Sequence, residues 1–412
     1  MEAPSRRAPL AGVRVVELTQ YVAGPLAGRM LSDLGADVIK LEPAPRGDLV
    51  RLYPPLRGRA SVGIIAYNRG KRSVCIDIKQ AQGAELAADL IGHADVFLEN
   101  FSPGVLARYG LGYERLSRRN PRLIMCSITG YGQNGPWAHK PGNDVIALAS
   151  SGILHLIGDP DAAPCIPGLT MGDCSGGLHG FGAVCAALYL REKTGEGQHI
   201  DLSLDECLAH LADNYYVMDQ ITGGKVVPRR SGSHHPSVSP MGVFRARDGY
   251  ITLAVMIDQW PMFTRLIGHP EMAGDPRFAT MEGRIKNRTG VTAAVEEWLQ
   301  TFDSRDQALA ILDQHHILSA PVLDVRQALE KPQMQARGVL ETVSCPDAPG
   351  VRLCRTPIHF SNADVHIRGN PPALGEHNRE VLSSMLGLSE DKIAQMARAG
   401  ILVAENGIEE SR

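Results

Sequence analysis

The chain has 412 residues, of which 44% are hydrophobic and 21% are charged, and its formal net charge is −3. These values are ordinary for a globular enzyme with an ample core, and they argue against nucleic acid as a partner. The length predicts two or three domains. No apolar run is long enough to cross a bilayer, and residues 1–9 lack the apolar core of a signal peptide, so we expect a cytoplasmic protein that does not contact membranes.

The first two hundred residues alternate apolar, β-branched runs with amphipathic segments. Residues 13–18 predict a strand, residues 26–34 a helix that ends at Gly35, and residues 37–42 a second strand. Further strands are predicted at 72–78, 95–100, 122–128 and 198–204, with a helix at 82–93. This alternation predicts an open parallel sheet with helices on both faces, in which ligands bind at the carboxyl ends of the strands.

Two phosphate-binding motifs are missing from this part of the chain. The first turn reads Ala23-Gly-Pro25 instead of GxGxxG, and no segment has the spacing GxxxxGK[ST], which counts against a nicotinamide or flavin enzyme. The segment Asn68-Arg-Gly-Lys-Arg-Ser73, with Lys79 and Arg108, nevertheless predicts cations near one sheet edge. These cations fit either a phosphorylated ligand held by side chains or a solvated basic loop.

A single acidic residue, Asp173, stands between a turn-rich segment and an apolar run that predicts a buried helix. We expect that helix to begin near Ser175 and to end at Gly195. Asp173 would then lie at the positive end of the helix dipole and stay ionised near neutral pH, as a nucleophile must. The alternative is an ordinary N-cap aspartate, and a weaker one is a catalytic Cys174 served by His179.

Eight cysteines show neither a CxxC pair nor a metal-ligand spacing. We therefore expect reduced thiols and no metal site. The region 209–240 is rich in Gly, Pro, Ser and cations and predicts a linker loop. Residues 242–255 predict a hairpin with Asp248-Gly249 at its turn, and residues 390–399 predict a C-terminal helix that stops at Gly400.

An ordered set of motifs resembles the family III CoA transferases, the group of formyl-CoA transferase and carnitine CoA transferase. The matching stretches are Leu10-Ala-Gly-Val-Arg-Val-Val-Glu-Leu, Val22-Ala-Gly-Pro25, Leu34-Gly-Ala-Asp-Val-Ile-Lys-Leu-Glu42, Asn68-Arg-Gly-Lys-Arg-Ser73, Ala94-Asp-Val-Phe-Leu-Glu-Asn-Phe-Ser-Pro-Gly104, Asn120-Pro-Arg-Leu-Ile, Gly130-Tyr-Gly, Gly172-Asp-Cys-Ser-Gly-Gly177 and Pro371-Pro-Ala-Leu-Gly-Glu-His377. The chain is also similar to the related α-methylacyl-CoA racemases.

The resemblance implies an α/β fold with a Rossmann-like large domain, whose parallel sheet is built from both chain ends, and a smaller α+β domain. It implies a large domain at 1–208 and 313–412, a linker at 209–240 and a small domain at 241–312. The subunit would be a ring, and two rings would interlock as a homodimer. No permanently bound cofactor is implied, because coenzyme A is a substrate.

The resemblance also assigns roles to residues. Asp173 becomes the nucleophile that carries an aspartyl-CoA thioester, as CoA passes from succinyl-CoA or a similar donor to a small carboxylic acid. The implied CoA contacts are Tyr21, Val22, Ala23, Arg46, Ile76, Lys79, Asn100, Phe101 and Arg108. The implied substrate contacts are Gly176 and Gly177, and we add Arg229, Arg230, His234 and His235 as cations for a second carboxylate of a dicarboxylic acceptor.

Three departures from the family pattern bear on specificity. Pro43 stands where formyl-CoA transferase has an arginine, which leaves Arg46 to substitute. Val22 replaces the glutamine of the oxalate enzyme, which argues against oxalate as acceptor. Asn143 replaces the acid–base histidine of the racemases and cannot exchange a proton, so transferase is favoured over a racemase-like enzyme. A catalytically silent CoA-binding protein and a thioesterase stay open as further alternatives.

Overall fold

A computed structural model describes residues 7–58 and 60–405. Within them the strands are β1 Arg14–Leu18, β2 Asp37–Pro43, β3 Leu56–Arg57, β4 Ala60–Ser61, β5 Arg72–Ile76, β6 Val96–Glu99, β7 Ile124–Thr129, β8 Gln198–Ser203, β9 Met241–Ala246, β10 Gly249–Ala254, β11 Leu318–Pro321, β12 Leu340–Thr342 and β13 Arg352–Cys354. The α-helices are α1 Ala23–Asp33, α2 Val62–Asn68, α3 Ala81–Gly92, α4 Tyr113–Arg119, α5 Asp144–Ser150, α6 Met171–Thr194, α7 Leu204–Leu211, α8 Asp213–Ile221, α9 Trp260–Leu266, α10 Met281–Lys286, α11 Arg288–Gln300, α12 Arg305–Gln314, α13 Val325–Glu330, α14 Pro332–Ala336, α15 Asn378–Leu386 and α16 Glu390–Arg398.

A six-stranded parallel sheet organises the larger part of the chain. Its spatial order is β5-β2-β1-β6-β7-β8, and every neighbouring pair is parallel. Taken by position in the chain, this is the doubly wound order third, second, first, fourth, fifth, sixth. The winding reverses between β1 and β6, so a crevice for a ligand opens outside the carboxyl ends of those two strands. The predicted strands and their parallel arrangement are confirmed.

Helices cover both faces of this sheet because alternate strand residues point to opposite sides. One face carries α3, α15 and α16, and its core includes Val16, Phe97 and Leu90, none of which is exposed. The other face carries α1 and α6, which pack closely against each other. Burial of each large apolar side chain contributes about 1.5–3 kcal/mol to the stability of the folded protein. The two apolar layers therefore hold in place the strand ends that form the crevice.

The expected contribution of both chain ends to this sheet is wrong for the strands. Among the described residues all six strands come from residues 14–203, and the C-terminal end adds helices and one antiparallel bridge between Leu402 and Ile76. Side chains occupy the edge of β5 instead. The Asn378 amide oxygen accepts the Cys75 N–H at 2.9 Å, and a His377 ring nitrogen lies 3.2 Å from the Ser73 nitrogen. With those edge groups satisfied, a seventh strand has no partners left along that stretch.

The described chain divides into two compact units. The first comprises the described residues up to Ile153, Pro167–Asp213 and the described residues from Gln335, and it contains the parallel sheet. The second comprises Leu154–Ile166 and Asn214–Met334. It is built on an antiparallel sheet of order β11-β10-β9 with an apolar core shared by α9, α11 and α12.

Local sequence explains two details near the second unit. The predicted hairpin is confirmed as β9 and β10, with Ala246 paired to Gly249 and Asp248 in the turn. The chain after β8 forms two consecutive helices, because α7 ends at its C-cap Ala212 and α8 begins at Asp213. Aspartate favours the first position of a helix over its interior, which explains the break.

Candidate active site

A cavity of about 490 Å³ lies where the winding of the sheet reverses. Its walls come from the segments that follow β1, β6 and β7 and from the start of α6. The lining residues are Tyr21, Val22, Ala23, Tyr53, Asn100, Phe101, Ser102, Pro103, Ile128, Thr129, Gly130, Tyr131, Ala138, Lys140, Gly142, Asn143, Asp144, Thr170, Asp173 and Leu204. All of them belong to the first unit. The sheet topology therefore brings Asp173 together with five of the predicted CoA contacts.

The position of Asp173 differs from the expected one. Helix α6 begins at Met171, with Thr170 as its N-cap, so Asp173 lies inside the first turn instead of before it. The expectation that the helix begins near Ser175 is wrong. The reason is a capping group that is distant in sequence: the Asp144 carboxylate accepts the N–H of Gly172 at 2.7 Å and that of Asp173 at 3.1 Å. These contacts satisfy two helix N–H groups and allow one more turn to form.

The charge of Asp173 also differs from expectation. Burial, followed by the nearby Asp144 carboxylate, raises the pKa of Asp173 from 3.8 to about 7. The expected stable ionisation at neutral pH is therefore wrong, since this pKa leaves the group partly protonated. The helix N-terminus does favour an anion, but Asp144 takes the N–H groups that would have stabilised Asp173. A carboxylate with a raised pKa is a stronger base and a stronger nucleophile when it is ionised.

Two glycines of α6 serve helix packing. A Cβ at Gly177 would lie 2.8 Å from the Ala23 carbonyl oxygen, and a Cβ at Gly176 would clash with a methyl carbon of Leu204. Both positions are buried. We expected Gly176 and Gly177 to leave room for a substrate, but the protein itself fills the space beside them. Their absent side chains allow α6 to approach α1 and α7, which fixes the first turn of α6 beside the cavity.

The turn after β1 is held by polar side chains. The Asn100 amide accepts the Gln20 N–H and donates to the Gln20 carbonyl, both at 2.8 Å. That amide is therefore already committed to the turn. The Asp48 carboxylate accepts the Tyr21 N–H at 3.0 Å. Tyr21 and Tyr53 stack edge to face with ring centroids 5.6 Å apart, and they form one wall of the cavity.

Four predicted CoA contacts do not line the cavity. Ile76 is 1% exposed, and its carbonyl already accepts the N–H groups of Ala44 and Ile78, so its side chain belongs to the core. Arg46 and Lys79 are exposed beyond the carboxyl ends of β2 and β5.

Arg108 is exposed in the short helix Leu106–Tyr109 that follows β6. Within the described part of the chain, no ion pair involves Arg46, Lys79 or Arg108.

The basic segment 68–73 is neither a phosphate site nor a solvated loop. Lys71 is 3% exposed and lies 2.8 Å from Glu17, while Arg69 is 2% exposed and lies 3.0 Å from Asp33. Burial lowers the pKa of Lys71 to about 8. Acidic side chains from other elements neutralise these cations inside the first unit, which sequence spacing alone does not indicate.

The four predicted acceptor cations belong to the second unit. Arg230 donates to the backbone carbonyls of Asp159 and His155, at 3.1 and 3.2 Å. His234 packs edge to face on Phe244, and burial, followed by the charge of Arg288, lowers its pKa.

A nitrogen of the His235 ring lies 3.1 Å from the Ser237 nitrogen, and Arg229 is exposed. Arg230, His234 and His235 thus have contacts within their own unit.

Sequence reasoning missed several residues of the cavity. Lys140 is the single cation among its described lining residues, and its ammonium lies 3.9 Å from the centre of the Trp137 ring. Tyr53 and Thr170 also line it, and no sequence pattern pointed to them. Asn143 does line the cavity, and its amide oxygen caps α5 by accepting the Ile146 N–H at 3.1 Å.

The doubly wound sheet, with a carboxylate of raised pKa in its crevice, defines an α/β protein equipped for nucleophilic group transfer. The family model described as CoA-transferase family III matches residues 10–378. Succinate–glutarate CoA-transferase of Agrobacterium fabrum is 36% identical over 390 residues, which cover 93% of this chain and 97% of the relative. Acetyl-CoA:oxalate CoA-transferase of Acetobacter aceti is 38% identical over 377 residues, which cover 90% and 94%.

A solved structure agrees with the family model and with these relatives. The crystal structure of a CAIB/BAIF family protein from Brucella suis matches with a TM-score of 0.83 and 38% identity, over 92% of this chain and 100% of the other. The chain belongs to CoA-transferase family III, and it is an enzyme that transfers CoA. The resemblance inferred from the motifs is confirmed, and the racemase alternative is not favoured. No described helix is long and apolar enough to span a membrane.

Proposed function

We propose that this enzyme transfers CoA from succinyl-CoA or a related acyl-CoA to a small dicarboxylic acid through a covalent thioester on Asp173. One observation carries the proposal. Asp173 is a partly buried carboxylate of raised pKa, presented to a cavity at the point where a doubly wound sheet binds its ligands. The backbone around it is fixed by Asp144 and by close helix packing, so the nucleophile is held in one place before substrate arrives.

The chemistry conserves the thioester in two exchanges. An Asp173 oxygen attacks the thioester carbonyl of the donor, and the CoA thiolate leaves, which forms a mixed anhydride. The thiolate then attacks the side-chain carbonyl of Asp173 and expels the donor acid as a carboxylate, which leaves aspartyl-CoA. The acceptor carboxylate repeats both steps in reverse order. It displaces the thiolate to form a second anhydride, and the thiolate takes the acceptor acyl group and frees Asp173.

Dicarboxylic substrates are supported by the relatives and by one cation of the cavity. The Agrobacterium fabrum relative is named for succinate and glutarate. Lys140 lines the same cavity as Asp173, so it can meet a second carboxylate while the first reacts. The Acetobacter aceti relative is named for oxalate, but Val22 argues against that acceptor here. An acceptor panel of succinate, glutarate and oxalate separates these outcomes.

Trapping the covalent intermediate tests the proposal. The enzyme is incubated with succinyl-CoA, reduced with borohydride and digested for peptide mass mapping. We expect the peptide that contains Asp173 to carry the mass of the corresponding alcohol, because borohydride reduces a thioester and leaves a carboxylate intact.

The variant Asp173→Asn should show no reduction, while Asp161→Asn, at an exposed loop position, should be labelled like the wild type. Turnover without any label at Asp173 would show that transfer takes another route.

CoA would be bound by residues that line the cavity and by exposed cations outside it. Tyr21, Val22, Ala23, Asn100 and Phe101 would contact CoA through the backbone or rings that line the cavity, and the exposed cations Arg46, Lys79 and Arg108 would meet its phosphates. Coenzyme A would act as a substrate and not as a bound cofactor. Replacing Arg108 with Ala should raise the KM for acyl-CoA and leave the KM for the acceptor unchanged.

We also propose an interlocked homodimer of ring-shaped subunits in the cytoplasm. Each subunit would have one large domain, formed by 1–208 and by 313–412 with its return linker, a linker at 209–240 and a small domain at 241–312. Large apolar side chains of α6 support a partner surface, since Leu178, Tyr189 and Leu190 are 52%, 66% and 47% exposed. The eight cysteines are all free thiols, which supports a reducing compartment. Size-exclusion chromatography with light scattering measures the molar mass, which should be twice that of one chain.

A further inference from the structure

A fully buried ion pair lies beneath the Tyr21–Tyr53 wall of the cavity. The Lys40 ammonium, on β2, is 3.0 Å from an Asp48 oxygen and 3.2 Å from a Glu17 oxygen, and all three side chains have no exposed area. Burial alone lowers the pKa of Lys40, but the carboxylates of Asp48, Glu17 and Glu42 outweigh it and raise that pKa. Lys40 therefore stays charged. Burying such a pair has a large desolvation cost, so the pair is weak evidence for a contribution to stability.

The other oxygen of Asp48 joins two segments of the wall. It accepts the Tyr21 N–H and the Val50 N–H, each at 3.0 Å. The first contact holds the turn after β1, and the second caps the short helix Leu49–Leu52 that leads directly to Tyr53. One carboxylate thus sets the positions of both tyrosines.

Tyr21 needs such support because its backbone is strained. Its φ is +64°, in the left-handed region that residues other than glycine seldom adopt. The residue is 37% exposed and lines the cavity, and the contact of its backbone N–H to Asp48 anchors its backbone. Without that anchor the residue can return to a relaxed conformation and carry its ring away from Tyr53.

We propose that Asp48, held by Lys40, is a positioning residue that fixes the Tyr21–Tyr53 wall and thereby sets the affinity for the acyl-CoA. This rests on the proposed function, since it concerns the same cavity. Asp48 is buried and does not line the cavity. Its removal should therefore change the fit of the acyl-CoA and leave the chemistry at Asp173 nearly intact.

Steady-state kinetics of Asp48→Ala provide the first test. We expect the KM for acyl-CoA to rise about tenfold and kcat to change less than about threefold, because a displaced wall weakens binding while the nucleophile stays in place. The matched control is Asp95→Ala. Asp95 accepts a backbone N–H from Arg14 at 2.8 Å and pairs with Arg191 at 2.9 Å. It lies at the amino-terminal ends of the central strands β1 and β6, away from the carboxyl ends where the cavity lies. Its loss should affect stability and leave KM unchanged.

Two further variants separate positioning from a general loss of structure. The double variant Lys40→Met, Asp48→Asn removes both charges and keeps an amide oxygen for the two N–H groups, so it should restore KM to near the wild-type value. In a background that lacks both rings of the wall, Tyr21→Gly, Tyr53→Ala, the change Asp48→Ala should add little to KM. An unchanged KM in Asp48→Ala, or an equally large effect in both backgrounds, would overturn the proposal.

A second variant and a binding measurement test the positioning role if Asp48→Ala does not fold or if the enzyme shows no transferase activity. Should Asp48→Ala not fold, Asp48→Asn replaces it, and its smaller rise in KM must also disappear in the background that lacks both rings. Calorimetric titration with CoA supplies a readout that does not need turnover. A wild-type enzyme without transferase activity whose CoA affinity still falls in Asp48→Ala would refute the proposed function and support the positioning role. Unchanged affinity in the variant would refute the positioning role alone.

Discussion

Replacing Asp173 with Asn should stabilise the folded protein, and the gain should grow as the pH rises. The pKa of this carboxyl is raised from 3.8 to about 7 by burial and by Asp144. In the unfolded chain both causes vanish. The unfolded state therefore releases its proton near pH 4, while the folded state holds the proton up to about pH 7. The wild type loses stability between these two values, and the amide variant does not.

The size of the effect follows from the proton affinities. A tenfold change in affinity corresponds to about 1.4 kcal/mol, so holding Asp173 ionised in the folded protein at pH 8 costs about 4 kcal/mol before screening. The side chain is only partly buried, and solvent reduces this cost to about 2 kcal/mol. At pH 5 the folded group is still protonated, and the expected gain falls below about 1 kcal/mol.

Equilibrium urea unfolding at pH 5 and pH 8 measures the difference. The variant Asp161→Asn, at an exposed position, is the control for the change of side chain itself, and it should show the same small effect at both values. A gain from Asp173→Asn that is equal at the two pH values, or a loss of stability at pH 8, would refute the argument from a buried charge.

Three further predictions concern the same site. The ratio kcat/KM for acyl-CoA should rise with pH through a midpoint near 7, because only the ionised form of Asp173 attacks. Replacing Asp144 with Asn should move that midpoint to lower pH, since the amide oxygen still accepts the N–H groups of α6 while the like charge is gone. Changing Gly177 to Ala should destabilise the protein by about 1–3 kcal/mol, because the new Cβ would lie 2.8 Å from a carbonyl oxygen.

Each of these predictions has a direct check. The first two require pH–rate profiles, and a flat profile between pH 6 and 8, or an unmoved midpoint in the Asp144 variant, would contradict them. The third uses urea unfolding with Gly92→Ala as its control. Gly92 ends helix α3 with nothing within 4 Å of a Cβ, so alanine there should be neutral or stabilising by about 0.5 kcal/mol. Equal effects at the two glycines would show that the close approach at Gly177 is not limiting.

Local patterns specified the elements of the larger unit well. β-Branched runs such as 13–18 formed parallel strands, and the helix after β1 ended at Gly35 as predicted. The motif around Asp173 also predicted a carboxylate near the start of a helix, although α6 exposes Leu178, Tyr189 and Leu190 and is not a buried helix. These features depend on residues that are neighbours in the chain, and the side-chain period and the stop signals express them directly.

Features that depend on distant partners were not predictable. The first turn of α6 forms because Asp144 caps it, 29 residues away from Asp173. The cations of residues 68–73 fitted either a phosphate site or a solvated loop by sequence, but acidic groups from β1 and α1 neutralise them in the interior. The link from Asp48 to Tyr21 joins two loops whose sequences show no relation to each other.

The sequence by itself determined the order of strands and helices, the family and the residue that stands as nucleophile candidate. The tertiary structure alone decided the protonation of Asp173, the absence of C-terminal strands from the described sheet and the support beneath the cavity wall. The physical reason is the range of the forces involved. Backbone propensity and apolar periodicity act between neighbours, whereas desolvation and charge pairing depend on which distant side chains the fold brings within a few ångströms.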